Sequence, residues 1–536
     1  MNKTISTNQP MRKYGPRRYI PSIINFFLSA ILIVAQFIWI ASVIAWGAQG
    51  NYAINLGLQV IAVALTLYIC SRDIRTSHKL SWTFLILFLP IVGIVTYFLF
   101  GRPELTSGKR KKMEAVLAQT GQYRMSDPTV TEALRTECPD AYLQSEYIAN
   151  YGGYPIFREE DTRYYDSGEA MFPEYLEDLK KAKHFIFIEF FILGTGEMLG
   201  RTLEVLEQKV KEGVEVYMIF DDFGSIQVLP RKFDRILEKK GIHAIRFNPF
   251  KPFLSIVMNN RDHRKIVVID NQVCYTGGVN LADEYINAIE RFGYWKDAAV
   301  RITGPATRNF TVMFLEMWEY ARSEKMDYAH YLRQYEDDPY YRRSDYDEYM
   351  PQEGNGYVQP YCDFPLDREY VGENVYLNMI GRAHKYVYIA TPYLIISSEM
   401  TKALVNAAKS GVDVRILVPA IPDKKLIYLM TKSNFRSLVN GGVKIYTYTP
   451  GFVHTKCFVA DDCYATIGSI NLDYRSLTLH FECGSFHYNT KVISDVKRDL
   501  YGAMQVSHEV SVEECEQKNV IVRTMLMVLK LFTPMM

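Results

Sequence analysis

Two segments of the 536-residue chain carry the same reactive side chains at the same spacing. The first, HRKIVVIDNQVCYTGGVN, supplies His263, Lys265, Asp270, Gly277, Gly278 and Asn280. The second, HTKCFVADDCYATIGSIN, supplies His454, Lys456, Asp461, Gly468, Ser469 and Asn471. The residues between Lys and Asp are apolar and mostly β-branched or aromatic, so each segment reads as a buried strand. His and Lys, two apart, then project from one face. After a turn, a second strand-like run brings Gly-Gly or Gly-Ser and Asn back alongside. This set suits phosphodiester chemistry. A neutral imidazole can attack phosphorus and divide one hard displacement into two easier ones. A second imidazole, protonated, can donate to the departing alkoxide. Lys265, Lys456, Asn280 and Asn471, with Gly278 and Ser469 beside them, are placed to hold non-bridging oxygens as charge builds. Asp270 and Asp461 complete the two sets, either within the chemistry or as structural ties from the strand to its neighbour. One histidine alone would more often be structural; the duplication carries the reading. No His/Cys/Asp/Glu group has metal-ligand spacing and no P-loop is present, so neither a metal nor a cofactor is expected.

The elements around these segments are repeated as well. HFIFIEFF at 184–191 resembles KYVYIATP at 385–392, GVEVYMIF at 213–220 resembles GVDVRILV at 411–418, and GIHAIRFNP at 241–249 resembles GVKIYTYTP at 442–450. Helical patterns lie between them, as in LGRTLEVLEQKVKEG and MTKALVNAAKSG. Strands alternating with helices predict α/β layers with a largely parallel sheet. Two related halves predict a pseudo-twofold unit with its site at their junction, over 155–325 and 356–510. An acidic, Tyr-rich connector fills 326–355, a linker or helical segment 103–154, and an amphipathic segment 511–536 that could lie on a membrane or pack on the domain. The first half has about ten extra residues before its histidine, KPFLSIVMNN and its flank, either a packed loop or a lip that touches lipid. Glu189, Asp221, Asp222, Tyr393 and Asp473 fall near strand ends, where they read equally as hydroxyl-binding groups or as caps.

Ahead of the halves, residues 1–102 read as an α-helical transmembrane region. Apolar runs cover 22–47, 53–70 and 81–100, each near the ~20 residues that cross a bilayer core. Lys3, Arg12, Lys13, Arg17 and Arg18 precede the first run, and Arg72, Arg75 and Lys79 lie between the second and third. Positive-inside logic puts both flanks in the cytoplasm. Pro90 and Gly93 predict that 81–100 breaks and returns, which keeps Lys109, Arg110, Lys111 and Lys112 inside too. The formal net charge of +1 offers no basic surface of the kind nucleic acid requires, so no nucleic-acid partner is expected. Eight cysteines without paired spacing fit neither a disulfide framework nor a thiolate zinc site.

The two copies match the HxKx4Dx6G[GS]xN signature of the phospholipase D superfamily. Within it, WTFLILFLPIVGIVTYFLFGR, FDDFGS, RDHRKIVVIDNQVCYTGGVNLADEYIN, GYWKDAAVRITGPA, GVDVRILVPAIPDKK and INLDYRSLTLHFE resemble the bacterial cardiolipin synthases over nearly all of 155–505. The resemblance implies transfer of a phosphatidyl group between two phosphatidylglycerol molecules, giving cardiolipin and glycerol through a phosphohistidine. It implies a cell-membrane enzyme that meets membrane lipids with its catalytic halves inside, His263 as nucleophile and His454 as acid. It also points to Glu482, and in the first half Asp297, as carboxylates that hold the imidazoles, unless these are surface or capping acids. A phospholipid hydrolase, a nuclease of the same superfamily and a non-catalytic membrane scaffold are the competing readings.

Overall fold

The computed structural model describes residues 36, 38, 52–102, 106–124, 126–249, 259–333, 356–367, 369–516 and 520–533. The apolar run 22–47, most of the extra segment before His263 and most of the acidic connector therefore lie outside the described residues. The chain divides into two units. One takes in Lys111–Pro249 and Arg261–Lys518; the other contains the apolar N-terminal region to Arg110 and the C-terminal helix.

In the larger unit the repeat becomes two α/β halves. The first sheet runs in the order Thr162–Tyr165, Ala299–Thr303, Val273–Gly277, Ile266–Ile269, Phe185–Phe190, Glu215–Asp221, His243–Phe247. Only Phe185–Phe190, Glu215–Asp221 and His243–Phe247 pair in parallel; the other pairings are antiparallel. The second half repeats this: Tyr386–Ala390, Asp413–Pro419 and Lys444–Tyr448 pair in parallel, and Cys457–Ala460 and Tyr464–Gly468 form an antiparallel hairpin. The expectation of a largely parallel sheet is thus corrected. The motif strand does not cross over through a helix but turns back on itself. Asp270 and Asn271, and Asp461 and Asp462, all have positive φ (52°, 57°, 56° and 62°). Asp and Asn tolerate that conformation, and a turn with both central residues there closes a tight hairpin.

The same turns settle what the motif aspartates do. Asp270 accepts from the backbone N–H groups of Lys183, His184 and Phe185 at 2.7, 3.0 and 2.7 Å. Asp461 accepts from His384, Lys385 and Tyr386 at 2.6, 2.8 and 2.9 Å. Both carboxylates tie the hairpin to the start of the neighbouring strand, at the opposite end of the motif strand from the histidines. At ~3.3 Å per residue that is on the order of 20 Å away, so neither belongs to the reacting groups. Asp270→Ala should cost about 3–5 kcal/mol of unfolding free energy, because three backbone donors lose their acceptor at once. Thermal unfolding and yield of soluble protein would register it. Loss of activity with an unchanged melting curve would return Asp270 to the chemistry.

Glycines also explain the repeat. The helices Glu197–Lys211 and Ser398–Lys409 are each followed by a glycine at positive φ, Gly213 (91°) and Gly411 (97°), which ends the helix and feeds the next strand. Two elements near the expected boundaries pack across them. Phe157–Arg158 pairs with Tyr357–Asp363 of the second sheet, so the first half begins later than 155. Tyr328–Leu332 is a helix with Tyr328, Tyr331 and Leu332 buried, and Tyr331 packs on Phe185 and Phe187, so this part of the connector belongs to the first half's core.

In the other unit, Tyr52–Ser71 is the one helix among the described residues long and apolar enough to cross a membrane. The next run is broken: Thr76–Phe88 stops at Leu89, and Pro90–Thr96 continues into Tyr97–Gly101. The two pieces fold against each other. A Cβ on Gly93 would stand 2.5 Å from the Leu85 carbonyl oxygen, and Trp82 meets Tyr97 edge-on with ring centroids 5.3 Å apart. Val520–Phe532 lies against Thr76–Phe88, where the Leu531 carbonyl accepts from the Ser81 hydroxyl at 2.5 Å.

Candidate active site

Each motif histidine is led in by a short strand that pairs in parallel with a strand of the other half. Arg261–Asp262 runs beside His480–Phe481, and the His263 N–H donates to the Phe481 carbonyl at 2.9 Å. Gly451–Val453 runs beside Tyr294–Lys296, and the His454 N–H donates to the Lys296 carbonyl at 2.7 Å. In each case the next residue on the partner strand is an acid. His263 Nδ1 lies 2.9 and 3.0 Å from the two oxygens of Glu482, and His454 Nδ1 lies 2.7 Å from Asp297 Oδ2. Each half thus holds the other half's imidazole, and both acids, left open by the sequence between holding the imidazoles and a surface or capping role, are fully buried. An Nδ1–H given to a carboxylate leaves Nε2 with a free lone pair, the form a nucleophile needs; the tautomer is assigned here from its partners.

The surroundings favour uncharged rings. Burial, then Lys265, Lys456 and His454, push His263 well below the usual histidine range. Burial and Lys456 bring His454 down to about 4, against the opposing pull of Asp297. The lysines are themselves lowered, chiefly by burial, Lys265 to about 8 and Lys456 to about 7. Burial would raise Asp297, but His454 and Lys456 overcome it and hold the carboxyl below its ordinary value. Lys265 Nζ donates to the His263 carbonyl at 2.5 Å. Lys456 Nζ donates to the His454 carbonyl and lies 2.7 Å from His454 Nδ1. Asp297 is the charged acceptor of the two neighbours of that nitrogen, so we place the Nδ1 proton toward it.

Three of the four residues expected to bind phosphate make hydrogen bonds within the protein. Asn280 accepts from Ile192 N–H at 3.0 Å and donates to the Tyr285 hydroxyl at 2.7 Å, fixing a ring that packs on His454. Gly278 N–H donates to the Ala298 carbonyl, and a Cβ there would clash with Asp297 Oδ1. Its glycine leaves room for that carboxylate. Ser469 fills the equivalent place in the second half, where its hydroxyl donates to Glu482 at 2.5 Å, as does that of Ser476. Of the four, Asn471 keeps a buried amide oxygen without a partner among the described residues. The acids near strand ends are mainly structural. Glu189 accepts from Arg264 at 2.6 Å, Asp221 from Phe223 N–H at 2.8 Å, and Asp473 from Ser476 N–H at 3.0 Å. Asp222 pairs with Arg246 at 3.4 Å, and the Tyr393 hydroxyl donates to Asp423 at 2.6 Å.

Sequence reasoning passed over several neighbours. Phe191 packs against His263, and Trp295 and Phe452 against His454, so both imidazoles are walled by aromatic rings. His480 stands with its ring centroid 5.4 Å from that of His263. With His263 and Glu482 it forms a group whose ligand atoms lie within 4.8 Å of one another, which linear spacing did not reveal. The signal was present: His480 and Glu482 are two apart on one strand and share a face.

Comparison with known proteins places this arrangement. A family model described as cardiolipin synthase, PLD-like domain, matches residues 175–318 and 376–502, and one described as phospholipase D-nuclease N-terminal matches 57–102. An uncharacterized protein of Streptococcus mutans is 42% identical over 88% of this chain and all of its own length. A cardiolipin synthase of Geobacillus kaustophilus is 31% identical over 96% of this chain and 99% of its own. Among solved structures, a phosphatidylserine synthase of Haemophilus influenzae superposes with a TM-score of 0.54 over 73% of this chain and 98% of its own, at 16% identity, a likeness of fold.

Proposed function

The chain belongs to the cardiolipin synthases with a phospholipase D-like domain, and from that premise we propose that it is a phosphatidyltransferase that joins two phosphatidylglycerol molecules into cardiolipin and glycerol. The observation that carries the mechanism is the reciprocal pairing of His263 with Glu482 and His454 with Asp297. His263 Nε2 attacks the phosphorus of one phosphatidylglycerol. The bond from phosphorus to the glycerol oxygen breaks, His454 protonates that oxygen, and glycerol leaves a phosphatidyl–His263 behind. The glycerol hydroxyl of a second phosphatidylglycerol then gives its proton to His454 and attacks the same phosphorus. Cardiolipin forms and His263 is released. His454 is held neutral in the empty site by burial and by Lys456. The phosphate of the donor offsets the cationic charge of Lys265 and Lys456, so its arrival favours the proton that His454 must deliver. The same two ammonium groups stabilise the five-coordinate phosphorus.

The test is purified full-length protein with phosphatidylglycerol in mixed micelles, products resolved by mass spectrometry. Cardiolipin and glycerol, formed in the presence of EDTA, are expected. Phosphatidic acid as the sole lipid product would make the protein a hydrolase, with water as the acceptor.

The apolar unit anchors this enzyme to the cell membrane. In our reading the N-terminus, the 71–80 connection and the catalytic halves face the cytoplasm, 48–52 faces outward, and 81–100 enters and returns. The break at Leu89–Pro90 and the close approach of Gly93 to Leu85 support that return. The arrangement translocates none of the flanking lysines and arginines. Cysteines placed at Ser6, Ser77 and Ser344 in a cysteine-free background should all resist a membrane-impermeant maleimide on intact cells. Labelling at Ser6 and Ser77 would establish three full spans, and labelling at Ser344 would place the catalytic halves outside.

A further inference from the structure

We propose that His263, His480 and Glu482 form a binding site for a divalent transition metal, zinc above all, whose occupation switches the enzyme off.

His480 opens the strand His480–Tyr488 and shares a face with Glu482, while the parallel lead-in strand Arg261–Asp262 delivers His263 to the same place. Both ring nitrogens of His480 are buried and make no hydrogen bond among the described residues. An imidazole that has lost its water and kept only a long contact with the Glu482 carboxylate is under-satisfied, so the position suits a ligand. Its Nδ1 is 3.5 Å from Glu482 Oε1, and His263 Nδ1 is 2.9 Å from the same oxygen. Nitrogen and oxygen ligands at ~2.0–2.2 Å from a tetrahedral zinc stand about 3.3 Å apart. The two separations from Glu482 bracket that value, and all three ligand atoms lie within 4.8 Å of one another. Two imidazoles and a carboxylate are a zinc-type donor set that leaves a fourth position for water. The Ser469 and Ser476 hydroxyls already orient Glu482, as outer groups orient metal-binding carboxylates.

Inhibition follows from the proton count, and this part rests on the catalytic role given to His263 above. A metal on Nδ1 takes the place of the proton now shared with Glu482. The neutral ring then carries its proton on Nε2, the nitrogen that must attack phosphorus, and the nucleophile is lost. Lys265 and Lys456 near His263, and Arg475 near His480, repel a dication. The ion is therefore a reversible inhibitor that competes for the site, not a resident cofactor.

The test uses untagged full-length protein in detergent, with cobalt(II) as the spectroscopic probe and zinc as the inhibitor. Cobalt should give the visible bands of a four- or five-coordinate nitrogen/oxygen site at one ion per chain. Zinc should stop cardiolipin formation, and EDTA should restore it. His480→Asn should abolish the bands and raise the zinc concentration for half-inhibition at least about tenfold, the cost of losing one ligand or its support. His480→Gln should do the same, and thermal melting of both variants in EDTA guards against a folding defect. Absence of cobalt bands in the wild type, or unchanged zinc inhibition in both variants, would overturn the site. Bands that vanish with His480 while zinc leaves the rate untouched would keep the site and instead remove His263 from the chemistry.

Discussion

Alanine in place of either His263 or His454 should lower cardiolipin formation more than about a thousandfold, and the double variant should be no worse than either single one. Nucleophile and acid act on one transition state, so losing either removes nearly all the catalysis that the pair provides. Folding should survive. Without His263, Glu482 keeps the Ser469 and Ser476 hydroxyls, and without His454, Asp297 keeps the Ala298 N–H at 2.8 Å. Neither buried carboxylate is stranded, so the thermal melting curve should shift little. A single variant that retains more than about a hundredth of the rate lacks the expected contribution of such a group and contradicts the two-histidine scheme.

The second large effect crosses between the halves. Glu482→Gln and Asp297→Asn should each cost at least about a hundredfold in rate with little change in KM, toward the about ten-thousandfold loss that follows when an orienting carboxylate becomes an amide. The amide can donate to Nδ1, which drives the imidazole proton to Nε2. For His263 this removes the lone pair, so Glu482→Gln should slow formation of the covalent intermediate. Asp297→Asn instead removes the counter-charge of a protonated His454 and should slow departure of the leaving alcohol. A loss under about threefold in both would assign the acids to packing alone.

The chemistry was legible because it is local. His and Lys two apart on a strand must share a face, and the duplicated spacing said which histidines to pair. What escaped was tertiary. Glu482 and Asp297 could be picked out as residues, but nothing in the linear order says that each serves the other half. That follows from the pairing of Gly451–Val453 with Tyr294–Lys296 and of Arg261–Asp262 with His480–Phe481, ladders too short to read from sequence. The antiparallel hairpins are hidden in the sequence for a related reason. The hairpin turns are Asp-Asn and Asp-Asp, without the glycine that marks such turns most strongly. Asp270 and Asp461 read equally as reactive groups or as structural ties, and the sequence does not choose between them because their three backbone donors come from the start of a strand about eighty residues away. The break in 81–100 was readable from Pro90 and Gly93, and Gly93 sits where the two helical pieces touch.

The central claim is a covalent phosphatidyl group carried by a motif histidine. It is met most directly by rapid acid-free quenching of the wild-type protein with phosphorus-labelled phosphatidylglycerol, followed by peptide mapping. The account predicts label on the peptide that contains His263, absent from His263→Ala, and retention of configuration at phosphorus. Cardiolipin formed with inversion at phosphorus and no label on either histidine would contradict it, because a single direct displacement would then be the reaction.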